Sequence, residues 1–119
     1  MLDLALDGVV RTVLKLLFAA ILICMTVVTI RASLAVSLWS AWDSYAANPW
    51  AVATLWDAYC GFTIVFCWVC YKERSSAFRI LWFVLIMGLG NIATSLYLLL
   101  QLSRLGDHEP IEALLRRRA

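Results

Sequence analysis

From Val9 to Asn48 no glycine or proline interrupts the chain, and most of the residues between are apolar. A bilayer-spanning helix takes about 20 apolar residues, and the stretch Leu16–Ile30 alone supplies only 15. The apolar pattern resumes after Arg31 as ASLAVSLW. The run therefore reads as one long helix that carries Arg31 inside its apolar zone, with a first span at about 12–38.

The residues before that span extend the same helix. Asp3, Asp7, Arg11 and Lys15 recur every four positions, which places them along one face. Asp7 preceding Arg11 is the favourable order for an i,i+4 pair. The acidic residues deny the segment the positive n-region of a cleaved signal peptide, so the helix is expected to enter the membrane without a break.

Trp39, Trp42, Tyr45 and Trp50 cluster at the far end. Amphipathic aromatics collect at membrane–water interfaces, and this segment reads as the outer turn. Asn48-Pro49 reads as an N-cap followed by the first helical position. A second span follows at 49–71. Lys72, Glu73, Arg74, Ser75 and Ser76 form a polar hairpin, and a third span follows at 77–102. Gly106 is expected to end it. Asp107 with Pro110 introduces a short surface helix, IEALLRRRA, in a tail over 103–119.

The expected fold class is thus all-α, an integral-membrane bundle of three transmembrane helices with a short C-terminal surface helix, forming a single domain over 1–119. Composition agrees: 64% of residues are hydrophobic, 15% are charged and mean hydropathy is +0.86. Soluble domains are about half apolar and about a quarter charged. Disordered chains are polar. The net charge of +2 lacks the concentrated basic footprint of a nucleic-acid binder.

With the N-terminus inside, three spans put Arg11, Lys15, Lys72, Arg74 and Arg79 on the inner side. The outer side receives Arg31, Arg104, Arg116, Arg117 and Arg118, five against five. Distant charges count less in setting orientation. The N-terminus and the Lys72–Arg79 hairpin are therefore expected in the cytoplasm, with a bacterial inner membrane as the host.

Ionisable residues within spans face inward and mark function by default. Folding the three spans over one another brings Arg31, Asp57 and the polar group Asn91, Thr94 and Ser95 to one depth. On the third span Asn91, Thr94, Ser95, Leu98 and Gln101 follow helical spacing. Gly61, Gly88 and Gly90 suit close helix contacts. This cluster reads as a buried Arg31–Asp57 ion pair bridged by Asn91 that lines a pocket for the polar head of a lipid-like ligand or acts in proton transfer, or as an interhelical clasp. In a further reading Arg31 reaches the outer headgroups and never meets Asp57.

The cysteines Cys24, Cys60, Cys67 and Cys70 lie in apolar runs. They do not form the disulfide framework of a small secreted protein. Cys67-Trp-Val-Cys70 is followed by Tyr-Lys-Glu-Arg, and the pattern C-x-x-C-x-x-E-R resembles the active-site segment of bacterial membrane disulfide oxidases. That resemblance implies a thiol redox pair. It covers eight residues and lacks the second, surface cysteine pair of those enzymes. His108 is the single histidine, and no metal site is expected.

The tracts MTVVTIRASL, NPWAVATLWDAYCGF, WVCYKERSSAFR and WFVLIMGLGNIATSLYLLLQL together resemble an uncharacterised family of small multi-span integral-membrane proteins of bacteria and plants. The resemblance runs from residue 25 through most of the apolar part. It implies a multi-span membrane protein without an assigned activity.

Three functions stay open on these residues. The first is a binding or accessory membrane subunit that holds a lipid, quinone or isoprenoid, or a partner helix. The second is a small membrane enzyme acting on such a lipid, with Asp57 as acid or base. The third is a redox protein using Cys67 and Cys70. The expected partners are the bilayer and either further copies of the chain or a larger membrane complex, and no nucleic acid is expected.

Overall fold

The structure is a computed structural model that describes residues 2–117, with side chains from Ala5 onward. The described residues form five α-helices and a C-terminal 3-10 helix, and they include no strand. The first helix, α1 (Leu2–Ala35), is unbroken, as the uninterrupted run predicts. Arg31 lies within it. At 1.5 Å per residue its 34 residues extend for about 51 Å.

The helix stops three residues earlier than the expected boundary at 38. Ser37 adopts extended backbone, and its hydroxyl accepts from the Ser40 amide at 3.1 Å. That cap starts α2 (Leu38–Ala46), so the aromatic segment expected as a turn is mostly a short helix. The Tyr45 hydroxyl donates to the Ala51 carbonyl at 2.9 Å, tying α2 to the next helix.

That helix is α3 (Pro49–Lys72). Its start follows the expected chemistry: the Asn48 side chain accepts from the amides of Trp50 and Ala51, and Pro49 occupies the first helical position. Residues 73–75 form the short turn expected after it.

The expected third span divides at Gly90 into α4 (Ser76–Leu89) and α5 (Asn91–Arg104). The chain reverses there. Were 73–97 one straight helix, its ends would lie about 36 Å apart. Instead the Tyr97 hydroxyl donates to Glu73 Oε1 at 3.1 Å, and the rings of Trp82 and Tyr97 meet at 4.8 Å between centroids. α4 and α5 are the two arms of a helical hairpin. Each arm has 14 residues and extends about 21 Å, short of a hydrocarbon core of about 30 Å.

Reversal makes α5 parallel to α3: Gly90 faces Phe62, and Tyr97 packs on Trp68 at 5.5 Å. It also makes α5 antiparallel to α1. Asn91 to Leu98 face Phe18 to Met25, and Gly106 meets Arg11. The core lies where α3, α4 and α5 converge, in Val69, Trp82, Ile86, Ala93 and Tyr97, with Phe62, Val65 and Phe66 packed against it.

The tail does not lie free. Ile111–Leu115 is a 3-10 helix with Ala113 and Leu114 buried. The Arg11 guanidinium donates to the carbonyls of Gly106 at 3.1 Å and Glu109 at 2.9 Å. Lys72 Nζ donates to the Arg116 carbonyl, and Arg117 Nε to that of Tyr71. α5 is capped at Leu105, and the Gly106 amide turns to Glu109 Oε1 instead of closing a left-handed cap.

The N-terminal part of α1, the 73–75 turn and the tail thus share one end, called basal below. The opposite placement expected for Arg104, Arg116 and Arg117 is overturned by the reversal at Gly90. Arg118 lies outside the described residues. Two helices, over Ala5–Ala35 and Pro49–Lys72, are long and apolar enough to cross a membrane. No described side chain of α1 is buried.

Candidate functional site

The hairpin tip is built around one glycine. Gly90 has φ 59° and ψ −125°, the conformation of the first central residue of a type II′ turn. Breaking a helix leaves carbonyls without their usual donors. The Tyr59 hydroxyl supplies one, donating to the Met87 carbonyl at 2.8 Å. The Gly90 carbonyl accepts from both the amide and the hydroxyl of Thr94. The Phe62 ring covers Gly90 so closely that a Cβ there would lie 2.7 Å from Cζ.

Beside the tip, α1 and α5 enclose a groove of about 520 Å³. Its apolar walls include Phe18, Ile21, Met25 and Leu98, and its polar lining is Asn91, Thr94 and Ser95, with Cys24 opposite. Ser95 is 3% exposed. Its hydroxyl has no hydrogen-bond partner among the described residues. The Thr94 proton is directed to the Gly90 carbonyl at 3.3 Å.

No residue lining the groove is charged. The helix ends at the tip are also balanced. The partial negative end of α4 and the partial positive end of α5 meet at Gly90, so their dipoles offset each other locally. The groove offers an amide, hydroxyls and a thiol, a set that hydrogen-bonds an uncharged polar group.

Asn91, Thr94 and Ser95 therefore come together as their spacing predicts. Arg31 and Asp57 stand apart from them. Both are exposed, and neither makes a hydrogen bond or ion pair among the described residues. The reason is the direction of α5. Because it runs parallel to α3 from the level of Phe62, Thr94 and Ser95 sit further toward the basal end than Asp57.

Cys67 and Cys70 are free thiols on α3, exposed and half-buried. The described residues hold no cluster of His, Cys, Asp or Glu suited to a metal ion.

The α1 side of the groove did not follow from the sequence, where Cys24 stands out only as one of four cysteines in apolar runs. Tyr59 is also missed as the partner of the helix break. The usable signal was the pair Gly90-Asn91 near the middle of the apolar tract 77–102, which is flanked by polar turns. No curated protein and no solved structure matches the chain. The chain belongs to the family described as proteins of unknown function, DUF1475, whose profile matches residues 4–117.

Proposed function

We propose that the chain is an integral-membrane binding subunit in which α1 and α3 cross the bilayer and the α4–α5 hairpin is re-entrant. In this reading the α1/α5 groove holds the uncharged polar head of a lipid-like molecule, a quinone or an isoprenoid alcohol. Two long apolar helices with almost wholly uncovered surfaces support the membrane placement. Backbone breaks at membrane depth are tolerated where the protein covers them or satisfies their polar groups; Phe62 covers Gly90, and the Tyr59 hydroxyl donates to the Met87 carbonyl.

The reading replaces a third span with the hairpin, and that changes the charge balance. Arg11, Lys15, Lys72, Arg74, Arg79, Arg104, Arg116 and Arg117 gather at the basal end, which leaves Arg31 as the single basic residue toward the other end among the described residues. Lys and Arg are retained on the cytoplasmic side, so the basal end is assigned to the cytoplasm.

The observation that carries the ligand is the Ser95 hydroxyl, which lines the largely apolar groove without a hydrogen-bond partner among the described residues. A ligand oxygen there would add a hydrogen bond of about 0.5–1.5 kcal/mol. The groove contains no carboxylate or imidazole to act as acid or base, so binding is favoured over catalysis.

The test is native mass spectrometry of protein extracted gently from its own membrane. A small mass is expected on the parent chain and lost in Leu98→Trp, which fills the groove. Ser95→Ala should retain it more weakly. If no mass is retained, and neither an added quinone nor an isoprenoid alcohol binds, the reading fails.

A further inference from the structure

The side of the bundle turned away from α4 carries two opposite charges. Asp57 precedes Phe66 by nine residues, about two and a half turns of helix, so the two point to opposite sides of α3. Phe66 packs on Phe83 of α4 at 5.1 Å between ring centroids, and Asp57 therefore faces away from α4. On α5 the same spacing separates Asn91, in the groove, from Leu100, which lines a cavity together with Phe78, Leu81 and Trp82 of α4. The groove thus opens on the Asp57 side. Arg31 follows Ala20 by eleven residues and Cys24 by seven, close to about three and two whole turns. It stands above the groove wall that those two residues line. Arg31 and Asp57 share one face.

They also share one level. α1 is antiparallel to α5, which puts Met25 beside Asn91, and Phe62 covers Gly90. Arg31 lies six residues past Met25, about 9 Å further from the basal end, and Asp57 lies five residues before Phe62, about 7.5 Å further. α5 packs between the two helices that carry them. Both side chains are exposed, and neither has a partner among the described residues. Ionisable side chains within a span turn inward or pair with one another, and within one chain these two do neither. Asp57 is eight residues into α3, about 12 Å from its start, so its short side chain does not reach back to that end.

We infer that this face is a homodimer interface, in which Arg31 of each copy pairs with Asp57 of the other. A two-fold axis parallel to the helices sets α1 of one copy against α3 of the second, and both ion pairs form at once in a self-complementary contact. That symmetry requires the two residues to share a level, because copies inserted in the same sense keep their depths. A second copy brings one cation and one anion to the depth at which this chain lacks one anion and one cation. Gly61, one turn from Asp57 on the same face, has open space where a Cβ would stand, and small residues let a partner helix approach closely. The inference rests on α1 and α3 crossing the bilayer, and it does not need the groove to hold a ligand.

The experiment co-expresses two differently tagged full-length copies, extracts them in mild detergent, captures one tag and measures the other. The parent copies are expected to co-purify, with a dimer mass in native mass spectrometry. Arg31→Asp sets two carboxylates at each contact, and Asp57→Arg sets two guanidinium groups there. Each variant paired with itself should lose co-capture at least tenfold. Arg31→Asp co-expressed with Asp57→Arg restores opposite charges at both contacts and should recover the parent level. Pairing within one chain would give no such recovery. Gly61→Leu keeps both charges and fills space that is open in the single chain. It should retain helical circular dichroism and lose co-capture. If a reversal variant does not fold, Gly61→Leu carries the test.

A monomeric parent chain, bare or carrying lipid, overturns the inference, as does a mass that shows a different protein in place of the second copy. Co-capture that survives in the folded reversal variants or in Gly61→Leu overturns it too, and so does a mixed pair that folds without recovering. Alkaline carbonate extraction of the same membranes tests the membrane placement separately. Should carbonate release the chain, that placement fails. The mixed pair in aqueous buffer then decides the interface alone: recovery sustains it, and none overturns it.

Discussion

Gly90 concentrates in one residue the two demands of the hairpin, a backbone that only glycine adopts at low cost and the absence of a side chain beneath Phe62. Holding a non-glycine residue in such a region costs about 1–3 kcal/mol, and the contact with the Phe62 ring adds to it. Gly90→Ala is therefore expected to lower the thermal unfolding midpoint in a fixed detergent, and Phe62→Leu in that background should recover the contact component only. Gly88, two residues away, gives the opposite result. It is helical, and a Cβ there meets nothing within 4 Å, so Gly88→Ala should be neutral or gain up to about 1 kcal/mol. Tyr59→Phe isolates a third effect, because it strips the donor from the Met87 carbonyl. The bond is exposed, so the expected loss is about 0.5–1.5 kcal/mol, read in the same melts. Equal midpoints for Gly90→Ala and Gly88→Ala would show that the chain does not turn at Gly90.

At the scale of elements, a re-entrant hairpin and a third span make opposite statements about where residue 104 lies. In a variant lacking the four native cysteines, Ser75→Cys and Ser103→Cys should both react with a membrane-impermeant thiol reagent applied from the N-terminal side. A third span would place Ser103→Cys on the other side. Much of the element order was legible beforehand: the unbroken first helix through Arg31, the Asn48-Pro49 start of α3, and the turn near 73–75. These follow from local rules of capping, breaking and apolar run length. The direction of the chain after Gly90 did not follow, because hydropathy measures how apolar a segment is and carries no sign for its path. Gly88 and Gly90 also suit close packing in a continuous helix, so the residues that reverse the chain read equally well as packing residues. One error propagated into the site. Helical spacing alone puts Asn91, Thr94 and Ser95 on one face, where they line one groove, but aligning them with Arg31 and Asp57 assumed that the third segment ran on through the membrane. The contact of Tyr97 with Glu73 stayed hidden for the same reason, since the two meet only when α5 returns to the basal end.

At the scale of the whole molecule, the returning hairpin brings three chain regions into one basal assembly, and the tail closes it. Arg11, far from the tail in sequence, donates to two of its carbonyls, while Lys72 and Arg117 fix its last described residues to the end of α3. α1 otherwise meets the rest of the protein chiefly along α5, so the tail is the strap that holds the first helix against the hairpin and so keeps the groove between α1 and α5 closed at its base. A hydrogen bond to a charged donor contributes about 1.5–3 kcal/mol. Losing the Arg11 pair, discounted for its partial exposure, should weaken tail docking by about 2 kcal/mol, and proteolysis that follows the open population should accelerate about thirtyfold. The measurement is limited proteolysis within 105–112 for Arg11→Ala against the parent chain. Lys15→Ala removes the same charge one turn along α1, at a side chain with no partner among the described residues, and is expected to leave the rate unchanged. If both variants are cut equally fast, the tail is held by the overall charge of the basal end and the strap is absent. If only Arg11→Ala is cut, loss of the groove ligand in that same variant would show that the strap and the groove are mechanically one device.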